Sequence, residues 1–460
     1  MYRLLLLASL ILVSNHFAIS VLASGQDETP ILTVGKPIER NLGAGKADYY
    51  QISLAQGEFI HLIIEQKGID VVVIVYAPDG TKLVEVDSPN GTQGPEPLSL
   101  IADRAGSYRL EVRSSDSEAA AGDYQVNITE LRQATAPDKI RIAGERAFAE
   151  AALLHIESLT TAEVVPKALD KFLEASRYCH EAGDLALEAE ALNTIGQIYS
   201  DWSQHEKAID YYQRAVDIRQ KIGDRDGEAV SLGNLGIVYN NLAKYKEAIN
   251  YHQRALQLVR ETDNLAQEAI ILDNLGFTYF QLSELQKALD YYQSSLLISK
   301  KIGDRDSEAT TLTNLVGLYK VQGEVHKSIE CGQNALRIFR ELNNNRGQAT
   351  VLYRIGLLYQ SLGEHQQSFD YFNQALPLMR LVGHREGEAN VLNSLGTTYF
   401  RLGDYDRSLD FYQQSLQLMH ATGARSSEII VLTNIGGVHL QAKRYDQALD
   451  FLMKALQIAR

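Results

Sequence analysis

The sequence predicts a multidomain chain in which an N-terminal all-β sandwich is followed by an all-α superhelical solenoid. The first observation is a break in composition, because seven of the nine prolines lie before residue 138. A long segment with so little proline can be helical throughout, since proline removes a helical hydrogen bond and clashes with the preceding turn. The second observation is a pattern of apolar and small residues that repeats every 40 residues from about residue 187. A period of this length is typical of stacked pairs of helices.

The composition excludes several classes of function. The 460 residues include 44 Lys and Arg against 58 Asp and Glu, which gives a formal net charge of −14. Neutralising nucleic-acid phosphates requires clustered basic residues, so we expect no nucleic-acid partner. The same charge balance argues against a polybasic protein of the membrane surface. With only two cysteines, the sequence offers neither a disulfide framework nor a Cys-rich zinc module.

Residues 1–23 have the features of a cleaved export signal. Arg3 precedes the mainly apolar stretch Leu4–Val13, and Val21 and Ala23 place β-branched or small residues before a cleavage site after Ala23. This order is typical of secretory signals. An uncleaved membrane anchor is the alternative, but ten helical residues extend only about 15 Å against about 30 Å of hydrocarbon. We therefore predict a secreted or periplasmic protein without membrane association after cleavage.

The following segment, residues 28–132, has the pattern of a β-sandwich. Ile60–Glu65 and Val71–Tyr76 are runs of β-branched and aromatic residues, and Tyr108–Val112 alternates apolar and charged residues as a half-buried strand does. Several short strands separated by turn residues predict a sandwich or barrel of about a hundred residues. Residues 133–138 are predicted to link this domain to the helical region.

This β segment resembles the bacterial pre-peptidase C-terminal (PPC) type of domain. The matching segments are Tyr50–Ile52, Gln56-Gly57, Asp70, Ala77–Gly80 and Gly106–Val112. The resemblance implies a sandwich that is appended to exported proteins and usually carries no catalysis. Some such domains bind calcium, but the loop aspartates of this sequence lack the spacing of a calcium-binding loop, and turn formation accounts for them. We therefore predict no metal site and no cofactor.

Seven copies of the 40-residue pattern occupy residues 187–460. Its best-defined columns are Leu192, Leu232, Leu272, Leu312, Leu352, Leu392 and Leu432; Gly196, Gly236, Gly276, Gly356, Gly396 and Gly436, with Val316 in the fourth copy; and Tyr199, Tyr239, Tyr279, Tyr319, Tyr359 and Tyr399, with His439 in the seventh. These columns resemble the tetratricopeptide repeat (TPR). The resemblance implies two antiparallel helices per repeat, helix A and helix B. Residues 139–186 are predicted to form a degenerate helical pair that caps the array.

One stripe of helix A is predicted to face away from the core of the repeat. When Leu192 is position 4 of helix A, positions 2, 6, 9 and 13 lie opposite the core positions 4, 7, 8 and 11. Position 6 is filled by Asn234, Asn274, Asn314 and Asn434, with Arg354 in the fifth repeat. An amide side chain both donates and accepts hydrogen bonds. A ladder of asparagines therefore suits the backbone of an extended peptide.

Apolar residues accompany this ladder. They are Ile237, Ile270 and Phe277 within the stripe, and Phe280 and Phe400 on its flank. Such a surface favours a partly apolar peptide. The 40-residue period resembles that of kinesin light chains and G-protein-signalling modulators, both peptide-binding scaffolds. That resemblance implies that the four asparagines contact bound peptide. The alternative is that asparagine at position 6 links neighbouring helices and touches no ligand.

No motif for catalysis is found, so we predict a binding protein and no enzyme. The first hypothesis is an exported protein-protein interaction scaffold that binds a peptide or protein segment in the concave groove of the repeats. The order of signal, sandwich and repeats also resembles the front of bacterial CHAT-domain proteins. The alternative is therefore the regulatory N-terminal part of a CHAT-type cysteine peptidase whose catalytic domain is absent from these residues. A third hypothesis is self-association through the uncapped C-terminal repeat.

Overall fold

A computed structural model describes residues 29–86, 93–115, 121–158, 164–422 and 424–459. The predicted signal peptide lies outside the described residues. The N-terminal strands are β1 (Ile38–Leu42), β2 (Ala47–Leu54), β3 (Glu58–Lys67), β4 (Val71–Tyr76), β5 (Lys82–Val86), β6 (Gln93–Ile101), β7 (Gly106–Ser114) and β8 (Gly122–Gln133). They form two four-stranded antiparallel sheets, ordered β1-β8-β3-β6 and β2-β7-β4-β5.

The two sheets share one apolar core, as the alternation of the sequence requires. In β7 the side chains of Tyr108, Leu110 and Val112 are buried, and those of Ile60 and Ile64 in β3 belong to the same core. Because successive side chains of a strand point to opposite faces, each strand gives alternate residues to this core. The predicted all-β domain is therefore confirmed. Its likeness to the PPC domain stays a prediction.

The helices that follow are arranged as consecutive antiparallel pairs. Their bounds are α1 (Ala136–Ser158), α2 (Val165–Ala182), α3 (Leu185–Asp201), α4 (His205–Ile222), α5 (Arg225–Asn241), α6 (Tyr245–Glu261), α7 (Leu265–Gln281), α8 (Leu285–Ile302), α9 (Arg305–Val321), α10 (Val325–Glu341), α11 (Asn345–Leu362), α12 (His365–Leu381), α13 (Arg385–Arg401), α14 (Tyr405–Thr422), α15 (Arg425–Gln441) and α16 (Tyr445–Ala459). Repeats 1 to 7 begin at α3, and the odd-numbered helix of each is helix A. The predicted all-α solenoid is confirmed.

The chain divides into two compact units at the start of α5. Of the described residues, the first unit contains those up to 224, with the sandwich and helices α1 to α4, and the second contains those from 225 onward, with helices α5 to α16. In the first unit β8 ends at Gln133 and α1 begins at Ala136. Asp138 thus lies in the first turn of α1, where its carboxylate accepts a hydrogen bond from the backbone N–H of Thr135. This bond satisfies one of the N–H groups at the helix start.

In the first unit, the Arg141 side chain of α1 links this helix to the sandwich. Its guanidinium nitrogens lie 3.1 Å from Glu130 Oε1 and 3.4 Å from carboxylate oxygens of Glu145 and Asp184. Arg141 Nη2 also lies 3.1 Å from His61 Nε2, which must accept because arginine can only donate. Burial, together with the charge of Arg141, lowers the pKa of His61 to about 4. The His61 ring is therefore neutral near pH 7, as its contact with the positively charged Arg141 requires.

Small residues let the two helices of a repeat approach closely. In repeat 3 a Cβ added to Gly276 would stand 2.6 Å from Tyr292 Cδ1 of helix B. In repeat 4, where Val316 replaces the glycine, Gly332 takes the place of the aromatic residue. A Cβ on Gly332 would stand 2.7 Å from Ile355 Cγ1 and 3.4 Å from Val316 Cγ2. The large and small residues have exchanged helices, so the close packing is conserved.

The 40-residue period contains two helix-and-turn units of 20 residues. After each of the helices α2 to α13, and after α15, one residue has φ between 54° and 80°. These residues are Gly183, Ser203, Gly223, Ala243, Asp263, Ser283, Gly303, Gly323, Asn343, Gly363, Gly383, Gly403 and Lys443. Left-handed backbone is ordinary for glycine and costs other residues about 1–2 kcal/mol. The turns thus recur at a regular spacing, although only some of these left-handed positions are glycine in the sequence.

Candidate binding face of the A helices

The A helices of the second unit are α5, α7, α9, α11, α13 and α15, and each contacts the next one in this series. We call the surface formed by positions 2, 6, 9 and 13 of these helices the helix A face. All ten residues predicted to bind a ligand lie on these helices. The structure therefore places them along one continuous stack, with Phe280 and Phe400 at position 12 beside the face.

The apolar members of the helix A face are accessible. Ile237 and Ile270 are 38% and 44% exposed, although neighbouring residues of the same helices form the core. Phe277, Phe280 and Phe400 are half-buried. An exposed apolar surface that continues over several helices is typical of a docking site, whereas single exposed residues are ordinary.

Two of the four asparagines join neighbouring A helices. Asn314 Nδ2 donates to Asp273 Oδ2 at 2.8 Å, and Asn434 Nδ2 donates to Asn393 Oδ1 at 2.9 Å. In both cases position 6 of one helix A bonds to position 5 of the preceding one. Asn234 and Asn274 are half-buried at the same position.

Arg354 extends the first of these links to a third helix. Its Nη2 donates to Asn314 Oδ1 at 3.4 Å, so Asp273, Asn314 and Arg354 connect α7, α9 and α11. Among the described residues no carboxylate oxygen lies within 4.0 Å of the half-buried Arg354 guanidinium. Burial lowers the pKa of Arg354. A guanidinium in this state favours an additional hydrogen-bond acceptor.

Sequence reasoning missed the contribution of Asp273 to this face. Asp273 is 9% exposed, and its Oδ1 has no hydrogen-bond partner within the described part of the chain. Burial raises the pKa of Asp273 to about 6, and the polar side chains of Thr311 and Asn314 and the charge of Arg354 oppose this rise. The sequence does contain a sign of this role. Asp273 is the one charged residue at position 5 of the A helices of repeats 1 to 7.

A second set of links between A helices was also missed. Asn240 Nδ2 donates to Thr278 Oγ1 at 2.9 Å, and Gln360 Nε2 donates to Thr398 Oγ1 at 2.7 Å. Both join position 12 of one helix to position 10 of the next. The two threonines stand out in a position that is otherwise apolar in the second unit. A threonine 38 residues after an Asn or Gln could therefore have indicated this contact between A helices.

Two glycines open notches in the helix A face, because position 9 has no side chain in repeats 4 and 7. A Cβ added to Gly317 would lie 3.4 Å from Arg354 Nη1 and 3.9 Å from Phe280 Cζ. A Cβ added to Gly437 would meet no other atom within 4 Å. The first notch is thus bordered by a guanidinium and an aromatic ring, and the second is open.

The parts of the chain that the structure describes contain neither a metal-binding cluster nor a membrane-spanning helix. No group of three or more His, Cys, Asp or Glu side chains is placed to hold a metal ion there. No helix in those parts is both long and apolar enough to span a membrane.

The chain matches the family model of the tetratricopeptide repeat at four places. The matched residues are 149–221, 227–301, 307–380 and 387–460, more than half of the chain. The first match begins within α1, so it includes part of the pair predicted as a degenerate cap. No curated protein matches the chain.

Several solved structures share the fold at low sequence identity. The apo form of the quorum sensor NprR from B. thuringiensis is 13% identical, with a TM-score of 0.52 over 70% of this chain and 88% of that one. The Rap conjugation gene regulator of the plasmid pLS20, in complex with the Phr* peptide, is also 13% identical, with a TM-score of 0.52 over 69% and 95%. A Rap protein complexed with Competence and Sporulation Factor is 13% identical, with a TM-score of 0.50 over 70% and 98%.

Proposed function

Because the chain belongs to the tetratricopeptide repeat family, we propose that its helix A face binds an extended peptide or protein segment. The observation that carries this proposal is the half-buried Arg354 guanidinium, which has no carboxylate oxygen within 4.0 Å among the described residues, on a face lined by exposed Ile237 and Ile270. A peptide supplies backbone acceptors for such a guanidinium and side chains for the apolar surface.

The solved structures support a binding role. The pLS20 regulator has its Phr* peptide bound, and the Rap protein is complexed with a named factor. Both share only the fold with this chain, so the identity of the ligand does not carry over. We propose a scaffold without catalysis. The predicted signal at residues 1–23 further leads us to propose that the scaffold acts in the periplasm or outside the cell. The CHAT-type alternative stays a hypothesis from the sequence.

Selection from a library of random peptides tests the proposed function. The full chain is immobilised, peptides are selected, and the affinity of each synthetic peptide is measured by fluorescence anisotropy. We expect the double variant Asn314→Ala/Arg354→Ala to lose about 10-fold or more in affinity, since it removes polar contacts of about 1.4 kcal/mol or more. The matched control Gln413→Ala changes an exposed residue of helix B and should bind as the wild type does.

The outcome is decisive because the controls separate binding from folding. Thermal unfolding followed by circular dichroism shows whether the double variant keeps its helices. If selected peptides bind the folded double variant as tightly as the wild type, the helix A face is not the binding site. If the library yields no binder to the wild type, a peptide ligand is excluded as well.

A further inference from the structure

The two notches belong to two copies of one larger arrangement. At the step from repeat 3 to repeat 4, the Asn314 amide bonds to Asp273, Gly317 opens the notch, and Phe280 lies beside it. At the step from repeat 6 to repeat 7 the same positions hold the equivalent residues. These are Asn434, which bonds to Asn393, with Gly437 at position 9 and Phe400 at position 12. The two arrangements are therefore separated by three repeats.

The other steps of the second unit lack this combination. From repeat 2 to repeat 3, position 9 is filled by Phe277 and the preceding position 12 is Asn240. From repeat 4 to repeat 5, Leu357 fills position 9, and from repeat 5 to repeat 6, Thr397 does so. A glycine at position 9 thus occurs only where the preceding helix offers phenylalanine at position 12. We call each combination of a notch and the phenylalanine of the preceding helix a pocket. The first notch is bordered by the Phe280 ring, whereas Gly437 faces open space and Phe400 holds the equivalent position in the preceding helix.

Each arrangement also leaves polar groups for a peptide backbone. In the first, the nine-tenths buried Asp273 has an unpartnered Oδ1 that can accept an N–H, and Arg354 can donate to a C=O. In the second, the bond from Asn434 Nδ2 to Asn393 Oδ1 leaves one amide oxygen and one amide NH₂ for the same purpose. An extended peptide offers N–H and C=O groups in alternation, next to side chains on both faces.

We propose that these two pockets bind two large apolar side chains of a single extended peptide. This proposal rests on the proposed function and adds the chemical class of the ligand. Gly317 and Gly437 admit the side chains, Phe280 and Phe400 pack against them, and the Asp273–Asn314 and Asn393–Asn434 pairs hold the backbone. The two pockets differ in two respects: the first has Asp273 where the second has Asn393, and only the first is bordered by an arginine, Arg354.

The separation of the pockets fixes the spacing of the two side chains. Packed helices lie about 8–10 Å apart, so three steps along the A helices correspond to roughly 24–30 Å. An extended chain covers about 3.3–3.6 Å per residue. The two apolar residues of the ligand are therefore about 7–9 residues apart in its sequence.

A set of fluorescent synthetic peptides tests this inference on the full chain. Each peptide has a Ser/Thr/Gln background with two phenylalanines placed about 4, 8 or 14 residues apart, and one has a single phenylalanine. We expect the spacing of about 8 residues to bind about 10- to 100-fold more tightly than the single-phenylalanine peptide, which loses the burial of one ring. Equal affinity for all spacings would overturn the proposal.

Filling the pockets gives an independent readout. The variants Gly317→Leu and Gly437→Leu should each abolish the advantage of the second phenylalanine, so that the two-phenylalanine peptide binds like the single one. The melting temperature of Gly437→Leu should stay at or above the wild-type value, because glycine inside a helix is destabilising and a Cβ there meets no other atom within 4 Å. The melting temperature of Gly317→Leu shows whether the larger side chain is tolerated beside Arg354. The control Gln413→Leu adds the same side chain to an exposed site on α14 and should leave the affinity unchanged.

The two proposals fail in different ways. If library peptides bind and the Asn314→Ala/Arg354→Ala variant weakens them, but the Leu variants do not, then the helix A face binds peptides without these pockets. The pocket proposal is then wrong and the proposed function stands. If the double variant has no effect either, both are wrong.

Discussion

Asp273 provides the sharpest test of the electrostatics of the helix A face. Burial raises the pKa of its carboxyl from 3.8 to about 6 in the folded protein. Between these values the folded chain binds more protons than the unfolded chain. The free energy of unfolding therefore falls as the pH rises through this range, and the loss is complete above the folded pKa. The variant Asp273→Asn has no charge to bury and avoids this loss.

The magnitude follows from the shift. About two pKa units at 1.36 kcal/mol each give roughly 3 kcal/mol. We expect Asp273→Asn to match the wild type near pH 3.5 and to be more stable by about 2–3 kcal/mol near pH 7.5. Its amide oxygen can still accept the hydrogen bond from Asn314, so the shape of the site is retained.

Urea unfolding followed by circular dichroism at about pH 3.5, 5, 6 and 7.5 measures this difference. The control Asp410→Asn removes the charge of an exposed acid on α14 and should shift the midpoint little at any pH. A stability difference between Asp273→Asn and the wild type that is independent of pH would refute the reasoning. Lower stability of the variant near pH 7.5 would show that Arg354 stabilises the ionised carboxylate more than burial destabilises it.

Three further predictions concern packing, turns and the junction of the first unit. Gly332→Ala should lower the stability by about 1–3 kcal/mol through overpacking, because its Cβ would stand 2.7 Å from Ile355 Cγ1. The same change at Gly437, in open space, should raise it by about 0.5–1 kcal/mol, and equal urea midpoints would contradict the packing account. Ala243 has a φ of 55°, so Ala243→Gly removes backbone strain and should raise the melting temperature. We expect the free energy of unfolding to rise by up to about 1 kcal/mol, and a lower melting temperature would refute this. Arg141→Met leaves three carboxylates without their guanidinium and should cost about 3 kcal/mol in urea unfolding, whereas unchanged stability would show that the junction depends on apolar contacts.

The helical architecture could be predicted from the sequence because the residues that pack the helices together recur every 40 residues. The recurring glycine of helix A marks a place where a larger side chain would not fit, and the structure shows at Gly276 that the obstacle is Tyr292 of helix B. The exchange in repeat 4 was only half visible, since Val316 could be recognised as an exception but Gly332 could not be assigned as its counterpart. Recognising that pair requires knowing which residue of helix B meets which residue of helix A.

The candidate site was readable only to the level of a face. Helical periodicity predicts that Asn314, Asn434 and Arg354 share one stripe of the A helices. In the structure all three lie at position 6 of their helices and are half-buried. The sequence left open whether the asparagines meet a ligand or a neighbouring helix, and at Asn314 and Asn434 the structure shows bonds to the preceding helix. Whether they also bind a peptide stays a prediction.

Local sequence therefore decided which residues are helical, how often the pattern recurs and which stripe of helix A avoids the core, because these follow from the repeat distance along one chain. Tertiary contact decided which side chains meet across the repeats. Asp273 gains its raised pKa and its bond to Asn314 only because residues about 40 apart are brought together in a buried place. The same contact sets Gly317 between Phe280 and Arg354, and no spacing within a single helix encodes that neighbourhood.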